Sequence, residues 1–170
     1  MGVVAQPTQP VQRTWQSANQ RYLMASLERV RAALERHAIR RRATTDEAAA
    51  TDAAPESAAP PKMTGARPAA IQRLAELFGL SPFERDVLLL CAGIELDGRF
   101  PALCASAHGD AARPWPTFGL ALAALDDPHW SALLPQSPLR RWRLVELTSG
   151  GAITTAALRI DEAVLHYLTG

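Results

Sequence analysis

Lysine is nearly absent from this chain, and that scarcity removes a class of chemistry at the outset. Lys62 is the only one among 18 basic residues, and it stands in Pro61-Lys62-Met63-Thr64-Gly65. A phosphate-binding loop needs G-x-x-x-x-G-K-[ST], because glycine amides wrap the phosphates and the lysine neutralises them. The glycines before Lys62 are missing, so the sequence offers no ATP site. Cysteine is equally scarce: Cys91 and Cys104 lack C-x-x-C spacing and read as buried thiols, neither a zinc site nor a redox pair. No stretch approaches the roughly 20 apolar residues of a membrane span, and no charged segment followed by an apolar one opens the chain. These absences predict a soluble cytoplasmic protein without membrane contact, cofactor, metal or small-molecule site.

What is present is arginine, alanine and leucine. The arginine and alanine bias reflects high-GC bacterial coding sequence more than any activity. Of the 170 residues, 48% are hydrophobic, enough for a core, but alanine buries little surface per residue. The large core formers gather after Pro68. The net charge of +1 conceals a gradient. Gln12 to Ala43 holds eight arginines against two glutamates, Thr44 to Ala66 holds four acids against Lys62, and Arg67 onward holds nine arginines against eleven acids. The globular part is therefore not basic, which argues against a phosphate-backbone footprint on it.

Four regions follow. Residues 1–16, with Pro7 and Pro10 among polar residues, read as a flexible tail in which Trp15 is the exception. In 17–42, Leu23, Leu27, Val30 and Leu34 repeat at alternating four and three spacings, an amphipathic helical arm. Its seam covers about two heptads, too short to stand alone in water, so it must dock on this protein or on a partner. Residues 43–66, in which the stretch TTDEAAATDAAPESAAPPK lacks large apolar side chains, read as a disordered acidic linker that lets the arm separate freely.

Residues 67–170 form the domain. Ile71, Leu74, Leu77 and Phe78 make one helix face, closed by Gly79. Ser81-Pro82-Phe83-Glu84 is a capping box with a first-turn proline, opening an all-round apolar helix over Val87 to Ala92. Phe100, Leu103 and Cys104 mark another helix. Thr117 caps Phe118 to Leu125, and Asp127-Pro128 starts a segment with Trp130, Leu133 and Leu134. Leu144 to Leu147 and Ile153 to Ile160 read as a hairpin around Thr148-Ser149-Gly150-Gly151, and Asp161 caps a closing helix with Val164, Leu165, Tyr167 and Leu168. The fold class is thus mainly α: an arm, a linker, then a winged-helix-like domain with a β-hairpin and a closing helix.

The segments LFGLSPFERDVLLLCAGIELDGRF, PTFGLALAAL, HWSALLPQSPLRRWRLVEL and LRIDEAVLHYLTG, with the arm from Asn19-Gln20-Arg21-Tyr22-Leu23, resemble the N-terminal region of a bacterial AAA+ ATPase family that accompanies contractile injection systems. In that family an ATPase core follows this region. The resemblance implies a non-catalytic targeting module that recruits or positions a protein partner, the AAA+ core or an assembly component, for ATP-driven remodelling. Ala163 departs from the family's I-D-E-R-like ending, which expects a charge there.

The arm seam of Leu23, Leu27, Val30 and Leu34 is the first candidate partner surface. Arg140, Arg141 and Arg143, interleaved with Trp142, are the alternative contact for a partner or for nucleic acid, as in a small winged-helix DNA-binding regulator. Against DNA, the presumptive recognition helix, Phe118 to Leu125, carries no side chain that reads base edges. His129 and Ser131 beside Asp126 and Asp127 imitate a triad, but sequence proximity does not make triad geometry and no G-x-S-x-G elbow is present. Capping by the aspartates and packing of Trp130 account for them. Glu95 and Asp97 read as a solvated turn. No residue is assigned to catalysis, to a cofactor or to a metal.

Overall fold

The structure, a computed structural model, describes residues 9–45, 67–148 and 150–170. Helix α1 (Gln9–Thr45) is about 55 Å long at 1.5 Å per residue. Its buried side chains, Asn19, Tyr22, Leu23, Ser26, Leu27, Val30, Ala33, Leu34 and Ala38, recur at intervals of three and four and so occupy one stripe. That stripe lies along α3 (Pro82–Leu96) and α4 (Phe100–His108), and also meets α5 (Phe118–Ala124) and α7 (Glu162–Thr169).

The expected free separation of arm and domain is therefore overturned: they share one core. A seam that cannot remain in water finds its cover within the same chain. The flexible tail is also shorter than expected. α1 already includes residues 9–16, and Trp15 is held there, its Nε1 donating to the Pro68 carbonyl (3.2 Å) while the Arg67 guanidinium sits 4.0 Å from its ring centre. Residues 1–8 and 46–66, the remainder of the expected tail and most of the expected linker, lie outside the described residues.

Helix α2 (Ala70–Phe78) buries Ala70, Ile71 and Leu74 and stops at Gly79, whose φ of 66° is left-handed. Leu77, expected on the inner face, is 74% exposed. It stands six residues after Ile71, hence about 240° round the helix. The Ser81 box forms as read: its hydroxyl accepts from the Glu84 amide (3.1 Å) and the Glu84 carboxylate accepts from the Ser81 amide (2.9 Å). α3 is the central helix, with Phe83, Val87, Leu88, Leu89 and Leu90 sealed from solvent. A methyl group at Gly93 would fall 2.4 Å from the Phe100 ring, so this glycine lets α4 approach.

Thr117 caps α5 as expected (Leu120 amide to Oγ1, 3.0 Å). Asp127-Pro128 does not start an α-helix. Asp127 takes a left-handed φ of 50°, and only a 3-10 turn follows at Trp130–Leu133. Trp130, expected to pack, is 69% exposed. A one-turn helix, α6 (Pro138–Arg141), comes next. The hairpin pairs β1 (Val145–Leu147) with β2 (Leu158–Ile160), Glu146 opposite Arg159. The second strand is shorter than expected because the amides of Thr155 and Ala156 turn back to the Ala152 carbonyl. A bridge from Thr117 to Ala157 adds a third strand position beside β2. Asp161 then caps α7, its Oδ1 accepting from the Val164 amide at 3.0 Å.

Candidate interaction surfaces

The arm seam does not present a free surface. Leu23, Leu27, Val30 and Leu34 are between 0% and 4% exposed and belong to the domain's own core, which corrects their reading as a partner surface. Two polar contacts fix the register of α1. Asn19, itself buried, accepts from the Ala70 amide at the start of α2 (2.7 Å) and donates to the Leu168 carbonyl near the end of α7 (2.9 Å). Farther along, Arg29 pairs with the buried Asp86 of α3, with Arg85 3.4 Å away. Burial raises the Asp86 carboxyl above its usual range, outweighing the pull of both arginines.

Arg140, Arg141 and Arg143 divide into different roles. Arg140 donates to the Leu133 carbonyl (2.6 Å) and ties α6 to the preceding 3-10 turn. Arg141 and Arg143 are exposed. The Arg141 guanidinium lies 5.1 Å from the centre of the Trp142 ring, which in turn meets Phe78 at 5.7 Å. Arg143 has a φ of 51°.

His129 sits between two serines, with Nε2 2.8 Å from Ser81 Oγ and Nδ1 2.7 Å from Ser131 Oγ, its ring edge-on to Phe83. Both ring nitrogens are thereby engaged by hydroxyls, so neither Asp126 nor Asp127 orients the imidazole as a triad acid would. Its observed work is to hold the loop onto the cap of α3. Asp97 binds Arg99 (2.7 Å), whose hydrogen bonds pull its carboxyl below the usual range. Burial raises both thiols, Cys104 to about 12, so neither is an activated nucleophile. Among the described residues, no group of three or more His, Cys, Asp or Glu side chains is placed to hold a metal ion, and no helix is long and apolar enough to cross a membrane.

Sequence reasoning missed a groove between α2 and α7. It has a volume of about 510 Å³ and is lined by Leu77, Phe78, Val164 and Tyr167, with Arg67 and Arg73 the charged lining residues. Its signal was the six-residue offset of Leu77 from Ile71.

A helical body closed by a hairpin with a further bridging strand position is the winged-helix arrangement, and a family model described as winged helix domain, variant, matches residues 62–170. The chain belongs to that family. No curated protein and no solved structure matches it. Within this winged-helix domain the helix directly before the hairpin is α6, not the segment Phe118 to Leu125 assigned to recognition. That segment is α5, and its Phe118, Leu120, Ala121 and Ala124 are buried. The wing, residues 148–157, contains no arginine or lysine, and the Gly119 amide donates to the Thr154 carbonyl (2.8 Å), fastening it to α5. Helix α1 lies outside the matched region and is an added layer on the winged helix.

Proposed function

We propose that this chain is a non-catalytic protein-interaction module of the kind that precedes an AAA+ ATPase core, recruiting or positioning a protein partner for ATP-driven assembly or remodelling. The observation that carries the reading is what the winged helix leaves exposed. The helix before the wing is a single turn, too short to lie along a major groove, and the wing is uncharged, whereas Leu77, Trp142 and Tyr167 stand in solvent around α2 and α7. No step in this role requires a catalytic residue or a cofactor from this chain. The AAA+ association rests on the sequence blocks quoted above. It is tested by reading the nucleotide sequence downstream of the Gly170 codon in all frames: a P-loop followed by an acidic metal-binding strand is expected, and unrelated coding sequence there removes the association.

A small DNA-binding regulator is the second reading, favoured by Arg141 and Arg143 exposed beside the helix that enters the hairpin. It requires binding to duplex DNA that weakens steeply with salt and is lost in Arg141→Ala/Arg143→Ala. A fluorescence anisotropy titration over a salt series decides. The interaction-module reading expects no binding at physiological salt beyond the weak non-specific level.

A further inference from the structure

We infer that the groove between α2 and α7 receives an amphipathic helical segment of a protein partner, with an apolar face and acidic flanks. The inference rests on the interaction-module reading and assigns it a surface and a ligand chemistry. Two antiparallel or crossing helices with a shallow apolar cleft between them are a common receptor for the apolar stripe of a third helix. Here Leu74, Phe78 and Val164 form partly or fully buried lining, while Leu77 and Tyr167 stand exposed beside them. The small Ala163 adds no bulk to the lining. Trp142, against Phe78, continues the apolar surface toward α6.

Charge selects the partner. Both charged lining residues, Arg67 and Arg73, are cationic, and neither has a carboxylate partner among the described residues. Arg29, Arg31, Arg85, Arg99 and Arg113, by contrast, each meet an acid. Arg67 is already placed by its cation–π contact, 4.0 Å over the Trp15 ring, and that contact does not use up its capacity to donate to a carboxylate. A basic segment would be repelled, and a purely apolar one would leave both arginines without the pairing the site offers.

The test is peptide phage display against the full chain, followed by anisotropy titration of the synthesised consensus peptide. Enriched peptides are expected to carry large apolar residues at spacings of three and four with Asp or Glu flanking them. Binding should fall by about tenfold or more in Leu77→Asp and, separately, in Arg67→Ala/Arg73→Ala, with Arg40→Ala, exposed toward the far end of α1 from Trp15, as the unaffected control. Leu77 and Arg73 are exposed, so their variants keep the fold, which a thermal melt verifies. Enrichment of basic or acid-free peptides, no enrichment, or binding indifferent to Leu77→Asp overturns the proposal. So does a wild-type dimer in sedimentation that Leu77→Asp converts to monomer, because a second copy would then be the occupant. DNA binding through Arg141 and Arg143 alongside intact peptide binding would instead sink the interaction-only reading and leave the groove assignment standing.

Discussion

Asn19 on the first helix donates to the main-chain carbonyl of Leu168 on the last, at 2.9 Å, across a buried junction. With its other amide atom accepting from Ala70, one side chain satisfies an orphan donor at the start of α2 and a carbonyl near the end of α7. Removing it strands both backbone groups away from water. Asn19→Ala should lower unfolding stability by about 1–3 kcal/mol, measured by urea denaturation. Asn19→Asp should do at least as much harm, since it sets a carboxylate oxygen against the Leu168 carbonyl.

The packing of α1 changes what a substitution in its seam should do. If Leu27 and Val30 faced only a partner, aspartates there would abolish capture and spare the fold. Both are 1% exposed, so Leu27→Asp/Val30→Asp buries unpaired charge in the core and should cost more than about 4 kcal/mol. Circular dichroism should show loss of the cooperative transition. Met24→Asp, on the exposed side of the same helix, should melt like the wild type; equal damage from both would contradict the placement of the seam.

The signals that reach only three or four residues were legible in the sequence. Ser81, Thr117 and Asp161 each bond an amide three positions on, and Gly79 ends its helix locally. What escaped depended on distant partners. The arm's periodicity gave its apolar face but not the surface that covers it, because an intervening stretch without large apolar residues separates seam and domain. Arg140, Arg141 and Arg143 look like one cluster until the Leu133 carbonyl claims Arg140. The groove joins α2 to α7 from opposite ends of the domain, so the offset of Leu77 from Ile71 marks an outward apolar side chain but not the helix that faces it.

The wing offers a local test. The Gly119 amide holds the Thr154 carbonyl, and a methyl group at Gly119 would lie 2.8 Å from that same oxygen. Gly119→Ala should push the loop from α5 and cost about 1–3 kcal/mol. Hydrogen exchange should quicken at Gly119 and through residues 150–157 while the core helices stay protected relative to global unfolding. Unchanged exchange in the wing would show that the loop is held by other contacts.

Two histidines at the α1–α4 contact give the stability a pH dependence. His37 and His108 both have pKa values lowered from 6.5, first by burial, then by positive neighbours: Arg40, Arg41 and His108 around His37, Arg113 and Arg41 around His108. Backbone contacts at Ala107 and Trp115, and the charge of Asp110, oppose the shift without cancelling it. As pH falls through about 6.5 the unfolded chain takes up these protons before the folded one does, so folding stability is lost from there down to the folded-state values. Asp86 works the other way near its own range, because its raised carboxyl binds a proton first in the folded state. Urea midpoints should therefore drop between pH 7 and pH 5, and His37→Asn/His108→Gln should flatten that slope. The glutamine can still donate to the Trp115 carbonyl that lies 3.1 Å from His108 Nε2, so the comparison isolates the charge. A double variant that keeps the wild-type slope would place the acid sensitivity elsewhere.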